Sequence, residues 1–502
     1  MPSAGIRLAR LEWIQLNTKW EANVQLGPKP CSEWRSTGFQ PDPQAATRAA
    51  LREPSTRSRG RNRRVRAIGA ALCWLLATGL VLSGAEGAWG QVEFEKQLQD
   101  PDPRVRERAA RALGDQGNPA YVPALGAIVQ DRDEKVRMTV VRALIRLGSP
   151  ASLPPLALAV RDGIPEIRYL ALDGIINFYL PGYVETGFGG SFRSVTSRVE
   201  TLFSDVDTLV VDPDVRVADE VTRILRQAIT GAPDMNTRAR AARALGILRV
   251  KAAVPDLLEA AFSNQVDLIA EVLRAFQKIH DPSVGPRITF LLSYPQKNIQ
   301  QAAATTLGLL RTESAIPDLR QTVENNDDID VRVAALDALA FMPQNQTAPV
   351  FLKYLADREK RMRAAAALGL GRLKDAQYLG QLEQTRQRER DGGVRLALAF
   401  ALTAQGRLEY LDEIVSSLSS RVRRGEARPY LIELARERPV REALYPQLYS
   451  RDPEIRQNLC MVLAASGYTV SLSQLDNLLR DRDAAVAQEA SRAIRILRSR
   501  GM

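Results

Sequence analysis

DPRVRERAARALGDQGNPAYVPALGAIVQD, residues 102–131, reads as two short helices joined by a tight turn, and the chain then says nearly the same thing again. Residues 133–162 run DEKVRMTVVRALIRLGSPASLPPLALAVRD. The motif persists near the end as RDPEIRQNLCMVLAASGYTVSLSQLDNLLRD (451–481) and RDAAVAQEASRAIRILR (482–498). The residue after the apolar V/I position, usually Arg, serves as a ruler. It falls at Arg106, Arg137 and Arg168 in steps of 31, and at Arg332, Arg363 and Arg395 in steps of 31 and 32. Gln300 lies 32 before Arg332 and Arg240 another 60 before that; Arg456 lies 61 beyond Arg395, and Ala487 a further 31 on. Self-similarity at such a period marks a repeat architecture. One interval is irregular: Arg168 to Arg240 spans 72 residues, ten more than two repeats need.

Each unit works as a helical hairpin. Asp102 can cap the first helix with its carboxylate, and Pro103 fits the first turn, where no N–H is needed. Val105, Ala109, Ala112 and Leu113 then form one apolar stripe at helical spacing. Gly114 and Gly117 supply the permissive backbone that ends the helix. The second helix starts near Pro123 and buries Leu125, Ile128 and Val129. The pairs Ala109-Ala110, Ala241-Ala242, Ala303-Ala304 and Ala334-Ala335 let helices approach closely. One hairpin cannot cover both its apolar faces, so neighbours must stack into a solenoid.

The pattern D-x-x-V-R-x-x-A-A-x-A-L-G-x-L with a following A-V-P-x-L resembles the short HEAT-like repeats, of the type also seen in phycobilisome-lyase subunits. ARAARALGILRVKAAVPDLLEAA (239–261) is its clearest copy. The resemblance covers Glu93 to the C-terminus apart from the interval after Leu180. It implies an all-α fold, a right-handed α-solenoid of two-helix repeats. Residues 91–502 divided by 31 give about 13 of them, with one irregular insertion. It also implies that the recurring Arg forms a ladder, pairing with Asp or with backbone carbonyls of the adjoining repeat. A rigid fork of five donors suits that bridging. The tetratricopeptide signature is absent, and three-helix armadillo units need about 40 residues.

Charge does not point to nucleic acid. The net charge of +11 over 502 residues is concentrated at the N-terminus. Residues 1–90 hold 13 Lys and Arg against 6 Asp and Glu, leaving 56 against 52 in the rest, a mixed-charge surface without a basic stripe. Residues 1–60 have no sustained apolar period and read as disordered or as a mis-assigned extension. RNRRVR (61–66) precedes the 19-residue uncharged run AIGAALCWLLATGLVLSGA (67–85) and the small-residue exit Ala88-Trp89-Gly90. This is the form of a secretory signal peptide over 61–90, its position suggesting a true start at Leu51 or Val65. The alternative is an uncleaved anchor, since a spanning helix needs about 20 apolar residues. Either way the repeats are expected outside the cytoplasm, in the periplasm or cell envelope of a bacterium. Cys460, in NLCMVLAA, would then be the only cysteine of the mature chain and reads as a core thiol.

Catalytic signals are sparse. The one histidine, His280, sits in KIHDPSV between two repeats. A His/Cys metal site is therefore excluded, and the His-Glu pairs by which HEAT-like deoxyhypusine hydroxylases hold iron are missing. No nucleophile elbow, phosphate loop or dinucleotide fingerprint is present. No cofactor or metal is expected. The acidic run Asp205, Asp207, Asp212 and Asp214 lacks the spacing of a calcium loop.

Between the repeats of 91–180 and those of 213–502 lies the segment 181–212, rich in glycine and aromatics. Six aromatics fall between Phe178 and Phe203. Tyr179, Tyr183, Phe188 and Phe192, with Arg193 and Arg198, are the residue types enriched at binding hot spots and form the candidate binding set. Burial of the aromatics as an irregular core patch is the competing reading. A second departure, 409–443, fits a degenerate repeat near position 426, with Arg421, Arg423 and Arg424 on a solvated face. The expected function is a non-catalytic exported scaffold. Its protein or peptide partner would bind on the concave surface, lined by the second helix of each repeat, and on the insertion. The alternative is a lyase-like or enzyme-accessory subunit orienting a cofactor or modified substrate.

Overall fold

The computed structural model describes residues 94–186, 192–194, 209–211 and 215–500. The extension 1–60, the segment 61–90, Phe188 and Arg198 lie outside them. No helix among the described residues is long and apolar enough to cross a membrane.

Two kinds of helix alternate, and numbering them in chain order makes the first kind odd and the second even. The opening repeats are α1 (Pro103–Gln116) with α2 (Val122–Ala127), α3 (Glu134–Leu147) with α4 (Leu153–Ala159), and α5 (Pro165–Tyr179). A two-stranded antiparallel hairpin follows, β1 (Val184–Thr186) and β2 (Phe192–Ser194), with Glu185 opposite Arg193. Then come α6 (Asp219–Gly231), α7 (Met235–Ile247), α8 (Val254–Ala261), α9 (Val266–Ile279), α10 (Gly285–Ile288), α11 (Lys297–Leu309) and α12 (Ile316–Asn325). The array continues through α13 (Ile329–Ala340), α14 (Ala348–Tyr354), α15 (Lys360–Leu373), α16 (Leu379–Arg388), α17 (Gly392–Ala404) and α18 (Leu411–Ser416). It closes with α19 (Arg424–Leu434), α20 (Arg438–Leu444), α21 (Pro453–Ser466), α22 (Leu472–Asp476) and α23 (Ala484–Arg500). The architecture is an all-α solenoid.

Local chemistry explains the rhythm. The carboxylates of Asp102, Asp133, Asp328, Asp391 and Asp452 each accept a backbone N–H in the first turn of an odd helix. Even helices carry proline in their first turn, at Pro123, Pro154, Pro255, Pro286, Pro317 and Pro349. Each odd helix packs on the next odd helix through the whole array, α5 on α7 included, and one continuous apolar core runs from Leu98 to Leu497.

Four close approaches between odd helices are glycine on alanine. A Cβ placed on Gly114 would lie 2.7 Å from Ala143 Cβ; on Gly246, 2.7 Å from Ala275 Cα; on Gly308, 2.6 Å from Ala338 Cα; on Gly371, 2.5 Å from Ala401 Cα. Gly114 therefore sits inside its helix for contact rather than ending it. The ending falls to Gly117, in the left-handed region at φ 70°.

Two expectations change. The ladder position in α7 is Arg238, whose Nε donates to Ala232 O at 2.9 Å as Arg106 Nη1 does to Asp100 O at 2.7 Å; Arg240 is not its equivalent. Arg168 to Arg238 is 70 residues, one repeat of 31 plus 39. The irregular interval is thus not two stretched repeats but an insertion between α5 and its own partner α6. That leaves eleven hairpins and a closing helix among the described residues, where length alone gave about 13.

Candidate functional site

The inner face of the solenoid is identified by ion pairs that skip a repeat. Arg372 on α15 makes two bonds of 2.8 Å to Glu433 on α19, 61 residues away, and Lys374 reaches Glu437 at 2.6 Å, 63 residues away. Side chains bridge two repeats only on the inside of a bend. The concave surface is therefore lined by the odd helices, not by the second helix of each repeat. The glycine–alanine contacts supply the reason: they draw the odd helices together on that side.

The ladder runs beside this face. Arg106 holds Asp131 with two bonds of 2.8 Å, Arg137 holds Asp162 at 2.6 and 3.0 Å, Arg363 holds Glu389 at 2.7 and 3.1 Å, and Arg456 holds Asp481 at 2.8 and 2.7 Å. Each also donates to a carbonyl six residues back. Across the insertion the partner changes. Arg168 bonds Asp234 at 2.5 Å and Thr237 at 3.0 Å, and Tyr169 donates to the same Asp234 at 2.9 Å. Burial works against the Asp234 carboxylate, yet the bonds from Thr237, Arg168 and Tyr169 hold it well below the usual range.

Where the insertion leaves and returns, it is built into the inner face. Asn177 Oδ1 accepts from Gly182 N (3.2 Å) and Val184 N (2.9 Å). The Tyr179 hydroxyl accepts from Ala218 N at 3.0 Å, and its ring meets Phe178 edge-on. Val211 N donates to Ile247 O at 3.0 Å. Tyr183, Val184 and Val211 are buried.

Below them lies a charged network on α5, α7 and α9. Arg243 grips Glu271 through two bonds of 3.1 and 2.6 Å, and Arg274 adds a third of 2.7 Å. Asp173 faces Arg240 Nη1 at 3.3 and 3.4 Å, and Arg240 stacks over Tyr169 at 4.6 Å. Burial is the largest influence on Asp173 and pushes its carboxyl up to about 6 against Arg240 and Arg243. Burial likewise raises the Tyr183 hydroxyl to about 12.

Of the six residues proposed from sequence, Tyr183 is a buried core side chain rather than an exposed one, and Tyr179 is half-buried against the core. The structure places Phe192 and Arg193 on β2. Sequence reading passed over Asp173, Arg240, Arg243, Glu271 and Arg274. Their signal is present: charged residues lie six or nine places after the cap of an odd helix, among alanines and leucines. No group of three or more His, Cys, Asp or Glu among the described residues could hold a metal ion. Cys460 is buried, which pushes its thiol up to about 12.

Fold and site define an α-solenoid whose insertion is tied to the repeats at both ends. Residues 93–175, 263–340 and 319–403 match the family model described as HEAT repeats, and 237–263 match that described as PBS lyase HEAT-like repeat. The chain carries HEAT repeats over these residues. No curated protein matches it. Among solved structures, an engineered protein is 16% identical, with 81% of this chain and 98% of that one covered and a TM-score of 0.34. Kap121p bound to Ste12p is 11% identical, with 82% of this chain and 57% of that one covered and a TM-score of 0.42.

Proposed function

We propose that the chain is a non-catalytic, exported scaffold that binds a protein or peptide partner on its concave surface and on the 181–212 insertion. One observation carries this reading. Asn177, Tyr179, Tyr183, Val184 and Val211 fasten both ends of the insertion to the inner face, so whatever the insertion recognises is presented beside the groove. Extended curved surfaces bind through many modest contacts, which suits an array of this kind. Export rests on residues 61–90 and is tested by sequencing the N-terminus of the mature protein.

The binding test is a crosslinking pull-down from cell-envelope extract. The full chain is compared with a variant in which residues 187–208 are replaced by a Gly-Ser linker, which keeps Tyr183, Val184 and Val211. The expected result is a partner captured by the full chain and lost with the linker. Equal capture by both would move recognition to the groove alone, and no capture by either would sink the scaffold reading.

A second reading, a lyase-like or accessory subunit, is favoured by Asp173. A buried carboxyl raised to about 6 beside two arginines and a tyrosine is of the type found at chemical sites. Under that reading Asp173→Asn abolishes the activity outright, whereas a scaffold tolerates it.

A further inference from the structure

Four repeats place a basic residue in a turn that α1, α3 and α21 make with glycine; three of them are successive, and the fourth, Lys374 (φ 52°), pairs with Glu437. Just beyond α7, α9 and α11 the chain turns into the left-handed region at Arg249 (φ 53°), His280 (φ 58°) and Arg311 (φ 50°). After α1, α3 and α21 the same turn is made by Gly117, Gly148 and Gly467. A side chain in this conformation carries a steric cost that glycine avoids. Attraction of a charged side chain to the helix C-terminal carbonyls offsets it only in part.

The three also crowd one another. Burial first, and then Arg249, Arg311 and Lys251, push the His280 imidazole down to about 4, so positive charge surrounds an uncharged hydrogen-bonding ring at neutral pH. Across the groove, Arg436 lies within electrostatic reach of Arg311, while Glu433 is committed to Arg372. Strained backbone combined with like charge at one register is a pattern found at binding sites.

We infer that the strip Arg249–His280–Arg311, with Lys251 and Arg436 beside it, binds an extended acidic peptide whose carboxylates recur at every third residue. The inference rests on the scaffold reading and names the partner's chemistry. The three positions are 31 residues apart in sequence and hence one repeat apart in space. Packed helices stand about 8–10 Å apart, and one turn of a polyproline-II strand advances about 9 Å in three residues. Carboxylates at that period meet Arg249, the uncharged His280 ring as a hydrogen-bond donor, and Arg311 in turn. A nucleic-acid backbone fits less well, because its charge is continuous while Glu433 and Glu437 flank the strip.

The test is fluorescence anisotropy of the full chain with a dye-labelled peptide of six Glu-Pro-Pro units. A Gln-Pro-Pro peptide and a labelled single-stranded oligonucleotide serve as comparisons. The variant Arg249→Gly, His280→Gly, Arg311→Gly removes the charges and suits the left-handed turn, so its thermal midpoint is expected not to fall. Arg249→Lys with Arg311→Lys keeps the charges. Expected are salt-sensitive binding of the Glu peptide, at least tenfold weakening in the glycine variant, near-native binding in the lysine variant, and none of the Gln peptide. Undiminished binding by the glycine variant, no binding by the native chain, or tighter binding of the oligonucleotide would each overturn the inference. A crosslinked partner mapped elsewhere on the inner face would leave the scaffold standing without the strip. Peptide binding without any captured partner would do the reverse.

Discussion

Asp173 is the residue whose state the fold alters most informatively. Its carboxyl is buried, its contacts to Arg240 are long at 3.3 and 3.4 Å, and the better-placed Arg243 is already committed to Glu271. Burial therefore wins, and the folded value of about 6 stands above the unfolded value of about 3.9. A raised value means that the folded chain takes up the proton. Asp173's contribution to stability is full below about pH 4 and is lost as pH rises through about 6. Asp173→Asn fixes the neutral form. The variant is expected to be more stable than the native chain at pH 7, by about 2 kcal/mol, with the difference closing towards pH 4. Urea midpoints at the two pH values measure it, and a variant less stable at pH 7 would show that Arg240 compensates the charge. His280 has the opposite sign. Its folded value of about 4 lies below the usual 6.5, so its contribution is full above pH 6.5 and is lost as pH falls towards 4.

Between elements, the glycine–alanine contact sets how closely odd helices stack. Replacing a mid-helix glycine by alanine ordinarily favours the helix by about 1 kcal/mol. At Gly246 the new Cβ would stand 2.7 Å from the backbone of Ala275, which cannot swing aside. Overpacking costs about 1–3 kcal/mol, so after the helix gain Gly246→Ala is expected to lower stability by up to about 2 kcal/mol. Gly380→Ala on α16, where nothing lies within 4 Å, is expected to be neutral or stabilising. Thermal midpoints of the two variants compare them directly, and equal effects would remove close packing as the cause. The repeat, its caps and the ladder were legible in sequence because Asp, Pro and Arg recur at fixed places for local reasons. Packing partners were not. Nothing within residues 102–131 says that Gly114 meets Ala143, so the glycine read as a helix end. Counting by arginines landed on Arg240 because RAR offers two, and only the bond to Ala232 O distinguishes Arg238. Of the candidate set, the sequence picked out Tyr179 and Tyr183, which pack where the insertion leaves α5. The floor of the site joins Asp173, Arg243 and Glu271 from three repeats, and which faces meet is a property of curvature that no single repeat encodes.

For the whole molecule, the ladder makes stability a property of junctions. Apart from the inner-face pairs Arg372–Glu433 and Lys374–Glu437, each repeat packs on its neighbours, so a weak junction weakens the array on both sides. Two of the carboxylates at these junctions, Asp481 and Glu389, share a response to acid. The Arg456 bonds are the largest influence on Asp481 and hold it below the usual carboxylate range, as Arg363 holds Glu389. A depressed folded value gives a contribution that is present above the unfolded value of about 4 and lost as pH falls through the folded one. Between pH 4 and 6 the opposed terms of His280 and Asp173 offset each other, so the native chain is expected to show a shallow dependence there and a steep loss below. Asp481→Asn isolates one junction. Both side chains of that pair are almost wholly buried, at 5% and 8% exposure, so breaking it should cost about 3 kcal/mol at pH 7. The deficit should shrink towards zero by pH 2–3, where the native carboxyl is protonated as well. Urea unfolding followed by circular dichroism at pH 7, 5, 4 and 3 reads both curves. A deficit that stays constant with pH would mean that Asp481 acts through its bond to Asp483 N and not through its charge. The junctions would then be held by turn geometry alone.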